Sequence, residues 1–142
     1  MYVFDSDTYT RFQYGDSRIT ARALAAPQGS VWLPAIVIEE QLRGRMSVLA
    51  SLNPKVEKDS QKVPAAYALL LKTVFDLNTF PHLAYTAEME SLYQSWPAAV
   101  KRLGTRDCRI AATAIVHGFT VITCNLTHFQ PMPSAQIEDW SQ

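Results

Sequence analysis

The segment Val3-Phe4-Asp5-Ser6-Asp7 decides how this chain reads, because a short apolar strand runs out into two carboxylates separated by a single serine. Such a pair either caps a turn or holds a cation. Asp and Ser are strong helix N-caps, so the same residues predict a helical stretch directly after the strand, through 8–15 and 17–26. The first unit is therefore strand followed by helix.

Working outward, the pattern repeats. Residues 30–33 (SVWL) form a short apolar run, Pro34 suits the first turn of a helix, and Ile38, Leu42 and Leu49 recur at helical spacing through 35–53. Residues 60–78 read as a helix with Pro64 near its start. Residues 80–85 (FPHLAY) read as a strand that Pro81 confines to an edge or a strand start. Residues 86–104 are helical up to a break at Trp96–Pro97, where the proline lacks an N–H. A helix over 106–117 stops at Gly118, a strand follows at 119–123 (FTVIT), and a last short strand falls within 135–139. Alternating strands and helices without an Asn-Gly hairpin signal predict a parallel sheet covered on both faces. No repeat or linker divides the 142 residues, so 1–142 reads as one domain.

Composition narrows the function classes. Hydrophobic residues at 48% against 18% charged predict a chain that buries its own core. Thirteen Lys and Arg balance thirteen Asp and Glu, so any polyanion binding must come from local patches rather than a global field. The longest apolar runs are too short to span a bilayer and no targeting segment stands out, which gives a cytoplasmic expectation with no membrane partner. Two cysteines, Cys108 and Cys124, are too few for a zinc site or disulfide framework and are expected reduced and buried.

Open parallel sheets bind ligands at the carboxyl ends of their strands. Asp5 and Asp7 lie at one such end and Asn125 just beyond another, while Glu39, Glu40 and Asp107 fall in the first turns of helices that approach the same rim. Taken singly, each has an ordinary role as a cap, a first-turn acid, a solvated carboxylate or a turn residue. Together they repel one another unless a divalent cation intervenes. Positive charge that could meet a polyanion is available in Lys101, Arg102, Arg106 and Arg109, and in Arg43 and Arg45 at a second edge, each of which would also suit a solvated surface.

These stretches resemble the PIN-domain ribonucleases, most closely their VapC-like toxin members, nearly end to end. VFDSD resembles the first motif of that family; IVIEEQLRG the second, selecting Glu40 rather than Glu39 by its distance to Gly44; GTRDCRIAATA the third, with Asp107 as its acid; and ITCNLTHF with the terminal IEDW the fourth, placing Thr123 and Asn125. The resemblance implies a three-layer α/β fold with a central parallel sheet of about four or five strands flanked by helices. It implies Mg²⁺ or Mn²⁺ at Asp5, Glu40 and Asp107, with Asn125 among the catalytic residues and Ser6, Asp7 and Thr123 in support. It further implies endoribonuclease activity and a small VapB-like antitoxin, and is compatible with a homodimer. Hard Mg²⁺ prefers oxygen ligands and keeps several waters, and in-line attack of an activated water would leave 5′-phosphate and 3′-hydroxyl ends.

One position departs from the family: His128 stands where an acid is common before the Phe of the fourth motif. One carboxylate fewer predicts weaker cation binding, with a shift toward Mn²⁺ if the imidazole touches the ion; otherwise the ring faces solvent or RNA phosphate. The same change leaves open a PIN-like RNA- or protein-binding module without turnover. A third reading comes from Asp5-Ser6-Asp7-Thr8-Tyr9, which partly resembles the nucleophile motif of haloacid-dehalogenase-type phosphatases, although Tyr9 stands where Thr or Val is expected and no lysine is placed for that mechanism.

Overall fold

The computed structural model describes all of residues 1–142. In chain order its elements are β1 (Tyr2–Phe4), α1 (Ser6–Gln13), α2 (Ser17–Ala25), β2 (Val31–Pro34), α3 (Ala35–Ser51), α4 (Glu57–Ser60), α5 (Val63–Leu77), β3 (His82–Leu83), α6 (Ala87–Ser95), α7 (Ala98–Lys101), α8 (Thr105–His117), β4 (Thr120–Ile122), α9 (Leu126–Phe129) and β5 (Gln136–Glu138). The five strands form one sheet in the order β3-β2-β1-β4-β5, with every neighbouring pair parallel. This is the α/β architecture expected from the alternation of elements, with helices flanking a central parallel sheet.

The strand order explains why the first five residues matter. The chain lays β2 and β3 to one side of β1, then returns to place β4 and β5 on the other side. Such a reversal parts the connecting loops at the carboxyl ends of the two central strands, and the crevice between β1 and β4 is where an open sheet accepts a ligand. Asp5 is the first residue past β1 and sits on that crevice, its backbone N–H donating to the Ile122 carbonyl at 3.2 Å.

Burial follows the central strands. Val3, Phe4, Leu33, Val121 and Ile122 are fully buried, and α8 adds Cys108, Ile110, Ala111 and Ala112 to the same core. Small residues on that face of α8 let the helix lie close to the sheet. Fully burying a Val, Leu, Ile or Phe side chain is worth about 1.5–3 kcal/mol, so the three inner strands and α8 carry the strongest part of the fold. An aromatic cluster of Phe4, Tyr9, Phe12 and Phe80, with centroids 5.6–6.1 Å apart, seals α1 against the β1 edge of the core.

The punctuation residues behave as their chemistry dictates. Gly118 ends α8 in the left-handed region at φ 67°, the conformation glycine adopts without steric cost. Trp96–Pro97 divides α6 from α7. Pro64 lies in the first turn of α5, and Pro81 precedes the two-residue β3 at the sheet edge. Pro34 instead closes β2 and takes the cap position of α3, so that helix begins without a side-chain cap. Cys108 is buried as expected, whereas Cys124 is only partly buried and accepts a hydrogen bond from Arg11 Nη1 at 3.2 Å. No helix is long and apolar enough to cross a membrane.

Candidate functional site

Asp5 is both a cap and a cleft residue. Its Oδ1 accepts the Thr8 N–H at 2.8 Å, fixing the start of α1, and the Thr8 hydroxyl reaches on to the Ile122 carbonyl at 3.0 Å. These bonds lock the β1–α1 turn against the end of β4. Asp5 is only 3% exposed, and burial raises its pKa, with Asp7 adding to the rise while hydrogen bonds from Thr123 and Thr8 oppose it.

Helices α1, α3 and α8 bring the other acids to the same place, and the start of α9 adds Asn125. Glu40, in the second turn of α3, accepts from the Ser6 hydroxyl at 2.5 Å, which ties α3 to the start of α1. Asp107 lies in the first turn of α8 behind the N-cap Gly104. Asn125 caps α9 beyond β4, its N–H held by the buried Thr123 hydroxyl at 2.9 Å and its Oδ1 accepting from Thr127 at 3.0 Å. A cleft of about 1000 Å³ is lined by Asp5, Ser6, Asp7, Glu39, Glu40, Asp107, Asn125 and His128, together with Tyr85, Gly104, Arg106 and Arg109. Thr123 stands behind this lining as a buried support.

The two neighbouring glutamates of α3 differ. Glu39 pairs with Arg43 at 3.0 Å and Arg106 at 3.7 Å, whereas Glu40 has no cationic partner. Asp5 and Asp7 likewise make no ion pair, and the only ionic partner of Asp107 is an imidazole: His128 Nδ1 lies 2.8 Å from its Oδ2. His128 therefore neither faces solvent alone nor stands apart from the acids; it is bound to one of them.

The basic residues divide. Arg106 and Arg109 line the cleft; Arg43, Arg45, Lys101 and Arg102 do not. Arg109 donates to Glu90 through Nε at 3.1 Å and Nη2 at 3.3 Å and lies over the rings of Tyr93 and Tyr85, 5.3 and 5.7 Å from their centroids. Arg45 donates to the Thr73 hydroxyl at 3.0 Å, Lys101 to the Gln94 carbonyl at 3.2 Å, and Arg102 is exposed. Sequence reasoning missed Tyr85 and Glu90. Glu90 accepts from Tyr85 at 2.7 Å and Gln94 at 2.8 Å as well as from Arg109, and these bonds hold its carboxyl down at about 2. Only the Glu90–Gln94 spacing is visible locally; the contact to Arg109 depends on α6 packing against α8.

The donor set at the cleft is carboxylate and amide oxygen, the chemistry preferred by Mg²⁺ and Mn²⁺. No three His, Cys, Asp or Glu side chains converge tightly enough to enclose an ion by themselves. An ion that keeps several waters and reaches part of its protein shell through them fits such an arrangement; a closed tetrahedral site does not. The buried Asp5 carboxylate, without a cationic neighbour, supplies the specific observation in favour of that fit.

Comparison with known proteins agrees with this architecture. Among solved structures the chain is similar to FitAcB from Neisseria gonorrhoeae, at 21% identity and a TM-score of 0.70 over 99% of each chain. It is also similar to DNA-bound VapBC from Salmonella typhimurium, at 20% identity and 0.70 over 98% of this chain and 97% of that one. A toxin-antitoxin complex from Klebsiella pneumoniae gives 18% identity and 0.69 over 95% of each chain. At these identities the likeness is one of fold. No curated protein matches the sequence. The PIN domain family model matches residues 10–130, a span that includes Glu40, Asp107, Asn125 and His128 and begins just after Asp5. With most of its length matched and the sheet, crevice and acids arranged as described, the chain belongs to the PIN domain family.

Proposed function

We propose that this protein is a Mg²⁺- or Mn²⁺-dependent endoribonuclease acting as the toxin of a VapBC-type pair. The observation that carries the reading is the set of acids at the β1–β4 crevice: Asp5, Glu40 and Asp107 line one cleft, and none has a lysine or arginine partner. A divalent ion bound there would supply Lewis-acid activation of water and of the scissile phosphodiester. Asp5 and Asp107 are the residues that would hold it, with Glu40 completing or orienting that shell. Glu40 is kept in place by Ser6 and takes the proton of the attacking water on its other carboxylate oxygen. Attack on phosphorus breaks the bond to the 3′-oxygen, which leaves as a hydroxyl after taking up a proton from solvent. Asn125 and Arg106, both lining the cleft, contact the phosphate and orient it.

Two partners accompany the reading. A small antitoxin that offers a Lys or Arg side chain to the acidic cleft would block it by charge complementarity. A second copy of the chain would cover the exposed stripe of Tyr67, Leu71, Val74 and Phe75 on α5, which recurs at helical spacing. Incubating purified chain with total RNA and Mn²⁺, with and without chelator, tests the activity. Metal-dependent fragments bearing 5′-phosphates support it; intact RNA in Mn²⁺ with specific RNA retention favours the binding module instead.

A further inference from the structure

The contact between His128 and Asp107 has chemical content beyond its length. A carboxylate can only accept, so the Nδ1 that lies 2.8 Å from Asp107 Oδ2 carries the proton. The same oxygen is bounded on another side by Gly104, where an added Cβ would stand 3.6 Å from it, at a backbone φ of 144° that side-chain-bearing residues rarely adopt. Asp107 is therefore held at this oxygen by a residue 21 positions along the chain, while the turn that begins its own helix leaves it room. His128 shares its helical turn with Asn125, its N–H donating to the Asn125 carbonyl at 3.2 Å, so α9 delivers both residues to the cleft.

We propose that His128 is a positioning residue: it ties up Asp107 Oδ2 and fixes the carboxylate so that the remaining oxygen is presented to the divalent cation. This rests on the cation reading of the cleft and deepens it. His128 is thus a donor that orders an acid already present in the cleft. Partners that orient metal-binding carboxylates typically change metal affinity by roughly 10–100-fold when removed.

The test uses Mn²⁺ alone, titrated calorimetrically into chelator-treated wild type, His128→Ala and His128→Asn. The Asn amide can donate from near the Nδ1 position, so it serves as the conservative rescue. The expected result is about tenfold weaker binding by His128→Ala and affinity close to wild type for His128→Asn. The imidazole ¹⁵N spectrum of metal-free wild type should show His128 protonated at Nδ1. Equal Mn²⁺ affinity in wild type and His128→Ala, failure of Asn to rescue, or a ring protonated only at Nε2 would overturn the positioning role while leaving the cation site standing. Wild type that binds no Mn²⁺ would overturn the cation reading itself, and the role of His128 with it.

Discussion

Two carboxylates in this molecule, Asp5 and Glu90, are provided for in opposite ways. Glu90 has its own cation: Arg109 donates two hydrogen bonds to it, Gln94 and Tyr85 add two more, and its pKa falls to about 2. Asp5 is buried among hydroxyls and backbone amides, has no cationic neighbour, and its pKa rises. Of the two arginines on the cleft wall, Arg109 is committed to Glu90, whereas Arg106 lies 3.7 Å from a Glu39 that already has Arg43. The difference teaches that this fold gives an acid its own cation away from the sheet crevice, and leaves Asp5, Glu40 and Asp107 at that crevice without a lysine or arginine partner.

The largest effects are expected from the crevice. Asp5→Asn and Asp107→Asn should each reduce metal-dependent RNA cleavage to background while melting at or above the wild-type temperature in chelator. Asn remains a good N-cap, so α1 keeps its start, and the buried charge is gone. Cleavage assays paired with thermal melts check this, and a folded Asp5→Asn variant with full activity would remove Asp5 from the mechanism.

The pH dependence separates the two carboxylates by sign. Asp5 has a folded pKa above its ordinary 3.8, so in metal-free protein it stabilises below 3.8 and that contribution is lost as pH rises through the folded value. Glu90 has a folded pKa near 2 against an ordinary 4.5, so it stabilises above 4.5 and that contribution is lost as pH falls toward 2. Melting curves across acidic pH should therefore converge between wild type and Glu90→Gln as pH drops, and diverge between wild type and Asp5→Asn as pH climbs.

Smaller differences sharpen the contrast between the arginines. Arg109→Ala should lower the melting temperature, because it strips Glu90 of its cation and uncovers Tyr85 and Tyr93. Arg106→Ala should leave melting nearly unchanged, since its partner Glu39 keeps Arg43. In the RNA-binding assay its salt-dependence slope should fall by about one unit, the signature of a single lost phosphate contact. Binding measured over a salt series distinguishes the two.

How far the sequence could be read follows from the range of each interaction. The strands, the parallel sheet and the edge position of β3 were legible, since apolar runs, missing hairpin turns and Pro81 act locally. Asp5, Glu40, Asp107 and Asn125 were legible as a group because strand ends in such a sheet share a rim and because the motifs name them. The strand order, which makes the β1–β4 crevice the switch point, was not, because it depends on which side of β1 the returning chain packs. Arg109 was read as a free phosphate guide since its partner lies 19 residues away across a helix interface. His128 was read against the ion, solvent or RNA phosphate because its bond to Asp107 closes only when α9 folds over the start of α8.

The central claim, that the acids at the crevice require a cation from outside the chain, is tested most directly by thermal unfolding of chelator-treated protein at neutral pH over a series of Mn²⁺ concentrations. Ligand that binds only the folded state stabilises by about 2.7 kcal/mol at a hundred times its Kd. The account predicts a melting temperature that climbs with Mn²⁺ in wild type and in Glu90→Gln but stays flat in Asp5→Asn. A wild-type melting temperature that ignores Mn²⁺, or an equal rise in Asp5→Asn, would contradict it.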